Sequence, residues 1–142
     1  MTYTAMILDP RNLHDVWEDV APDVDECRGH DRDEVWLEDV YSSIRAGNAL
    51  LMVIRDDTGG YAGMAVLVRQ TDPFNPNNRT LHVWYTNTRA KEATAAGLAF
   101  AEELARREGC AMVTFRGYKA EFERWGERLG FELGDVEMRK VL

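Results

Sequence analysis

The sequence contains few cysteines and no surplus of positive charge. Cys27 and Cys110 are its only cysteines, too few to indicate a disulfide framework or a cysteine metal site. We therefore expect two free thiols in a cytoplasmic protein, and no metal. Lysine and arginine number 17 against 25 aspartates and glutamates, whereas a nucleic-acid partner requires a basic surface. Nucleic-acid binding is therefore not expected.

Long hydrophobic runs are also absent. No segment approaches the run of about 18 apolar residues that a membrane-spanning helix needs. The N-terminal stretch MTYTAMILDP lacks the basic and apolar regions of a signal peptide. We therefore expect no membrane partner. No repeat or linker divides the chain, so residues 1–142 are predicted to form one domain.

The common catalytic signatures are missing. The chain has no G-x-S-x-G, no phosphate-binding P-loop and no pair of C-x-x-C motifs. Acidic residues are concentrated in residues 1–60, which carry 14 acids and 5 bases, a net charge of −9. Two interpretations of this acidic half remain open. It could attract a cationic partner or substrate, or it could be a solvated face that maintains solubility.

The first third of the chain predicts one strand and two helices. Residues 3–8 are strand-like, and Asp9-Pro10 opens a helix as N-cap and first-turn proline. Ala21-Pro22 is expected to end or kink this helix, leaving residues 23–30 as an acidic connector. The second helix is predicted to end at Gly47-Asn48.

The remainder predicts a meander of three strands followed by alternating helices and strands. The strands are expected at 49–56, 61–70, 80–86, 110–115 and, as one strand or a hairpin, 131–142. The helices are expected from about Arg89 to Glu108 and over 119–129, and a loop is expected at 71–79. The fold class is therefore α/β in the order β-α-α-β-β-β-α-β-α-β, a mixed sheet with helices on both faces. The β-α-β crossover should place its two strands side by side and parallel.

This order resembles that of the Gcn5-related N-acetyltransferase superfamily, or GNAT. The stretch YSSIRAGNALLMVIRDDTGGYAGMAVL is similar to the family's second helix and first central hairpin, with Gly63 after the turn. LARREGCAMVTF resembles the helix end and fifth strand of the family's motif A. ERWGERLGFELGDVEMRKVL is similar to motif B, where a helix runs into Gly130-Phe131.

The resemblance implies an acetyl-CoA site at the end of the fourth strand. In the family, the pantetheine lies along this strand, and a Q/R-x-x-G-x-G/A loop binds the pyrophosphate through backbone amides at the start of the next helix. Arg89 takes the Q/R position here. The residues carried over as cofactor-binding are Trp84, Tyr85, Thr86, Asn87, Thr88, Arg89 and Lys91.

The sequence departs from the family pattern at two places. Both glycine positions of the loop fall within Ala93–Ala96, and Gly97 follows too late to replace them. The tyrosine that often protonates the leaving thiolate lies five residues before the Phe of GF, where this chain has Gly126. The catalytic acid and base are therefore unassigned. The candidates are His82, Tyr85 and Tyr118.

Two hypotheses follow from the resemblance and these departures. In the first, the chain transfers an acyl group from CoA to an amine of a small molecule or a protein. In the second, it is an inactive GNAT-fold module that acts by protein contact or self-assembly. Short GNAT-like proteins of tailed bacteriophages, some of them internal virion proteins, are loosely similar to it through Trp125 and Gly130-Phe131. That hypothesis implies a location in the host cytoplasm or the virion.

Overall fold

The structure is a computed structural model that describes residues 1–30 and 35–115. Five strands and three helices lie in these residues: β1 (Thr4–Ile7), α1 (Leu13–Cys27), α2 (Leu37–Arg45), β2 (Leu50–Arg55), β3 (Tyr61–Asp72), β4 (Asn75–Thr88), α3 (Lys91–Arg107) and β5 (Met112–Phe115). The helix predicted at 119–129, the strand or hairpin at 131–142, and the positions Tyr118 and Gly126 lie outside the described residues.

The five strands form one mixed sheet in the order β1-β2-β3-β4-β5. The first three pairings are antiparallel, and β4 pairs with β5 in parallel. The predicted meander is confirmed. So is the predicted crossover, because α3 connects two strands that are parallel and adjacent.

Helices cover both faces of this sheet, as predicted. On one face, α1 and α2 pack against alternate residues of β2 and β3; this core includes Leu13, Val20, Ile44, Leu51, Val53, Met64 and Val66. On the other face, α3 packs against the intervening residues; this core includes Met52, Ile54, Ala65, Leu67, Leu81, Val83 and Ala101. We refer to these as the α1/α2 face and the α3 face.

Helix α1 does not end at Pro22, so that part of the prediction was wrong. The helix runs from Leu13 to Cys27 with Pro22 inside it, and most of the expected acidic connector is therefore helical. Proline removes one backbone hydrogen bond from a helix. The apolar stripe of Val16, Val20 and Val24 continues across it and is buried against the sheet, and this burial holds the helix together.

The loop predicted at 71–79 is instead a long hairpin. Strand β3 continues to Asp72 and β4 begins at Asn75, and these two residues are partners in the ladder. The next pair is Thr71 with Arg79, so residues 76–78 form an irregular bulge. Pro76 lies in this bulge, where a residue without an N–H is tolerated. The prolines therefore shape the hairpin without preventing it.

A second bulge in β4 changes which side chains share a face. Val66 pairs with Tyr85 and the next residue, Leu67, pairs with Val83, so Trp84 is the additional residue of the bulge. Leu81 and Val83 contribute to the α3 core, whereas Tyr85 contributes to the α1/α2 core. The bulge therefore reverses the alternation of β4 and sets the direction of every side chain between it and α3.

Candidate functional site

The C-terminal half of β4 extends beyond its pairing with β5. Within the described residues, the β4–β5 ladder covers Thr80 to Val83 on β4, while β4 itself continues to Thr88. Helix α3 begins three residues later, at Lys91. Ligands of open α/β sheets bind outside the carboxyl ends of parallel strands. The end of β4 and the start of α3 therefore form the candidate site.

The N-terminus of α3 presents backbone donors without a side-chain cap. Ala90 is the N-cap residue and carries no acceptor. The helix starts with the bond from the Thr94 N–H to the Ala90 carbonyl, at 3.1 Å. The amides of the first turn, at residues 91–93, have no acceptor inside the helix. Together with the positive end of the helix dipole, these amides favour an anion, whereas the carboxylate of Glu92, in the same turn, opposes one.

The glycines near this site serve backbone packing. A Cβ built on Gly97 would lie 2.9 Å from Cδ1 of Ile54, so this glycine brings α3 close to β2. Gly63 has φ +156°, and a Cβ there would lie 2.7 Å from the Asn87 carbonyl oxygen and 2.9 Å from Cα of Thr88. The end of β4 therefore keeps its position only because residue 63 has no side chain.

A buried carboxylate links α1 to the end of β4. Asp23 is 3% exposed and accepts three hydrogen bonds: from the Tyr61 hydroxyl at 2.5 Å, Nδ2 of Asn87 at 3.3 Å and Nη1 of Arg89 at 2.9 Å. We call these four residues the Asp23 cluster. Asn87 also donates to Oε2 of Glu26, at 3.1 Å. Three donors compensate for the burial of the charge.

The charges of the Asp23 cluster are fixed by its contacts. Burial, followed by the hydrogen bond to Asp23, raises the pKa of Tyr61 far above its usual value, so the hydroxyl stays protonated and acts as a donor. The hydrogen bond to Asp23 also raises the pKa of Arg89. The Arg89 guanidinium carbon lies 5.4 Å from the centre of the Tyr61 ring, a cation–π contact. Asp23 and Arg89 therefore form a partly buried ion pair.

The raised pKa of Tyr61 predicts a loss of stability at high pH. In the unfolded chain Tyr61 ionises near pH 10, whereas in the folded chain it stays protonated above that pH. The stabilisation is complete below pH 10 and is lost as pH rises beyond it. We expect the loss to be about 1 kcal/mol per pH unit or less, because the residue is only half-buried.

The measurement compares urea unfolding of the wild type and Tyr61→Phe between pH 8 and pH 11.5. The difference between the two slopes isolates Tyr61 from the other groups that titrate in this range. Tyr41→Phe is the matched control, since it removes another partly buried tyrosine hydroxyl. Equal slopes for the wild type and Tyr61→Phe would contradict the pKa argument.

The structure divides the predicted cofactor-binding residues between the two faces. Asn87 and Arg89 turn toward α1, through Asp23. Thr88 turns toward α3, where its hydroxyl contacts that of Thr94 at 2.5 Å. Thr86 donates from its hydroxyl to the Met64 carbonyl, and Lys91 is exposed in the first turn of α3.

The remaining predicted residues form an aromatic group around the β4 bulge. Trp84 makes edge-to-face contacts with His82 and Tyr85, at centroid distances of 5.7 Å and 6.3 Å. His82 lies opposite Val68, on the α1/α2 face, and its Nδ1 is 2.7 Å from the Thr114 hydroxyl on β5. Two catalytic candidates, His82 and Tyr85, therefore both contact Trp84, whereas Tyr118 lies outside the described residues.

Sequence reasoning missed Asp23 and Tyr61. For Asp23 the sequence does contain a signal, which is its helical spacing. It follows Val16 by seven residues and Val20 by three, so it belongs to the buried stripe of α1. The expectation that Ala21-Pro22 ends or kinks the helix assigns Asp23 to a connector and hides this signal. Tyr61 gave no comparable signal, because its pairing with Asp23 joins residues 38 positions apart.

The described residues contain a further cavity and no metal-binding cluster. A cavity of about 450 Å³, lined by Arg69, Gln70, Thr71, Arg79, Glu108 and Cys110, lies at the opposite end of α3. There Arg69 pairs with Glu108. Within residues 1–30 and 35–115, no cluster of histidine, cysteine or acidic residues has the geometry of a metal site. No helix in those ranges has the length and apolar character to cross a membrane.

Neither of the two cysteines, both within the described residues, forms a disulfide. Cys27, at the end of α1, donates from its thiol to the Thr86 carbonyl, at 3.3 Å. Cys110 lies between α3 and β5, and its N–H donates to the Ala105 carbonyl. Cys27 thus adds a second contact between the last turn of α1 and the end of β4.

Comparison with known proteins identifies the fold. No protein-family model and no curated protein sequence matches the chain. Solved structures match over nearly its whole length. The chain is similar to ribosomal-protein-alanine N-acetyltransferase from Brucella melitensis biovar Abortus (TM-score 0.73, 13% identity, covering 100% of this chain and 99% of the other).

Two further acetyltransferase structures also match over nearly the whole chain. One is glucosamine-6-phosphate N-acetyltransferase from Arabidopsis thaliana (TM-score 0.68, 14% identity, 99% of both chains). The other is a GNAT family acetyltransferase from Staphylococcus aureus (TM-score 0.65, 12% identity, 100% of both chains). At such identities the likeness establishes architecture and leaves chemistry open. Together with the observed order of strands and helices, these matches show that the chain has the GNAT fold.

Proposed function

We propose that the chain binds an acyl-CoA at the end of β4 and transfers the acyl group to an amine. The observation that carries the proposal is the uncapped N-terminus of α3, placed directly after the part of β4 that runs beyond the β4–β5 ladder. A pyrophosphate would accept hydrogen bonds from the amides of residues 91–93. In the same turn the Lys91 ammonium adds positive charge and the Glu92 carboxylate adds negative charge, so the backbone amides carry the attraction.

The small residues of the turn partly replace the missing glycines. Ala90 and Ala93 occupy the N-cap and the first turn, and a helical start does not require positive φ. Alanine leaves less room than glycine for a ligand to approach the backbone. We therefore expect acyl-CoA to bind more weakly here than at a loop with both glycines.

Other residues of the chain attract the amine substrate and hold it in position. Acidic residues along α1 attract a cationic amine toward the end of β4. The bound acyl-CoA supplies the activated thioester. Among the described residues, His82 and Tyr85 remain the candidates for proton transfer. Without a further assigned acid or base, we attribute the rate enhancement chiefly to holding the amine against the thioester.

The test follows the melting temperature during titration with acetyl-CoA. Binding to the folded state raises this temperature progressively with ligand concentration, and we expect a measurable rise at millimolar acetyl-CoA. Adenosine, which lacks the phosphates, is the control ligand and should cause no rise. An unchanged melting temperature at millimolar acetyl-CoA would reject the proposal.

A second candidate function has its own supporting observation. Arg89 and Asn87 are engaged by acidic residues of α1, so their side chains are not turned toward the start of α3. This arrangement suits an inactive GNAT-fold module that binds a protein, with a tailed-phage virion as the assembly to examine. Co-purification with a virion or another large assembly would support it. A free monomer that acetylates an amine would oppose it.

A further inference from the structure

We propose that Asp23 competes with the pyrophosphate of the cofactor for the side chain of Arg89. In the absence of cofactor, it holds the Arg89 side chain on the α1/α2 face. Cofactor binding requires the guanidinium to leave Asp23 for the phosphates beside α3. This inference rests on the proposed acyl-CoA site and concerns the regulation of its affinity.

The ion pair between Asp23 and Arg89 is weak enough for a ligand to replace it. Only Nη1 of Arg89 contacts Asp23, and the Arg89 side chain is 50% exposed, against 4% for that of Asp23. Water therefore screens the pair from the arginine side. Stacking over the Tyr61 ring adds a second weak contact. A pyrophosphate, which offers several charged oxygens, competes with a single carboxylate contact of this kind.

Asp23 remains satisfied when Arg89 leaves. The Tyr61 hydroxyl and the Asn87 amide still donate to its two oxygens, so no buried carboxylate is left without hydrogen bonds. The Arg89 backbone is fixed by its N–H bond to the Ala62 carbonyl, at 2.9 Å. The exchange therefore requires rotation of one long side chain, while the strand and the helix keep their places.

The decisive experiment is a double-mutant cycle on acetyl-CoA affinity, measured by calorimetry. Asp23→Asn keeps an oxygen for the Tyr61 hydroxyl but removes the charge that holds Arg89. We expect it to tighten acetyl-CoA binding by about three- to tenfold. In the Arg89→Gln background the same substitution should change affinity little, because the group it releases is absent. Asp57→Asn, in the β2–β3 turn, is the matched control for the change in net charge.

The outcomes separate the competition from the proposed function. A wild type that binds acetyl-CoA and an Asp23→Asn variant that binds no tighter would reject the competition and leave the function standing. An equal gain in the Arg89→Gln background would also reject it, since the effect would then be general electrostatics. Absence of binding in every variant would reject both. If Asp23→Asn does not fold, Asp23→Ser removes the same charge with a smaller side chain.

A second readout follows Arg89 directly. An arginine-selective glyoxal reagent, with the modified residue located by mass spectrometry, should label Arg89 faster in Asp23→Asn than in the wild type. Arg45, whose Nη1 donates to the Pro10 carbonyl at 2.9 Å, is the internal reference and should react at the same rate in both proteins. Equal labelling of Arg89 would show that Asp23 does not hold it.

Discussion

Replacing Ala90 by Asp should stabilise the chain by about 1 kcal/mol and weaken acetyl-CoA binding by about tenfold or more. Ala90 is the N-cap of α3 and has the extended backbone that capping residues adopt, with φ −154° and ψ 156°. An aspartate there accepts hydrogen bonds from the first-turn amides and complements the helix dipole. Those amides are the groups that we assign to the pyrophosphate, so the carboxylate both occupies them and repels the ligand.

Ala90→Asn is the matched control for this prediction. Asparagine caps a helix about as well as aspartate but carries no charge. It should give a similar stabilisation in urea unfolding and a smaller loss of acetyl-CoA affinity in calorimetry. If both variants bind acetyl-CoA as tightly as the wild type, the phosphates bind elsewhere. Such a result would remove the main support for the proposed site.

Replacing Gly63 by Ala should lower the free energy of unfolding by about 2–4 kcal/mol. Two costs combine at this position. The backbone has φ +156°, which side-chain-bearing residues rarely adopt, and the new Cβ would lie 2.7 Å from the Asn87 carbonyl oxygen. The neighbouring atoms include the backbone of β4, which cannot rotate away as a flexible side chain would.

Gly47→Ala separates the two costs. Gly47 has φ +82° and no atom within 4 Å of an added Cβ, so its substitution tests the conformational cost alone, about 1 kcal/mol. Urea unfolding of both variants should show a clearly larger loss for Gly63→Ala. Equal losses would mean that β3 and β4 are less closely packed at this point than the structure shows. The end of β4 would then have room to shift.

The element order could be predicted because periodicity and turn residues mark each element separately. The meander, the parallel crossover and the coverage of both faces all follow from that order. The errors came from giving proline too much weight. At Pro22 the buried apolar stripe of α1 outweighs one lost hydrogen bond, and at Pro76 a bulge accommodates the missing donor.

The sequence indicates where the candidate site lies along the chain, but it does not indicate which way its side chains point or what they contact. The order of elements and the resemblance to the GNAT family placed residues 84–91 at the end of the fourth strand and the start of the next helix. The directions of Asn87 and Arg89 depend on the bulge at Trp84, and no local pattern in the sequence marks that bulge. The Asp23 cluster joins α1, β3 and β4, so it arises from tertiary packing. A residue that a motif assigns to cofactor binding can therefore be bonded to another residue of the same chain.

The proposed function requires that the phosphates of acyl-CoA bind at the start of α3. Amide chemical-shift mapping of the wild type during titration with acetyl-CoA tests this most directly. We expect the largest chemical-shift changes at the backbone amides of residues 91–93 and along residues 84–88, in proportion to ligand occupancy. Saturating acetyl-CoA that leaves these amides unchanged, or shifts only those around Arg69 and Arg79, would contradict it.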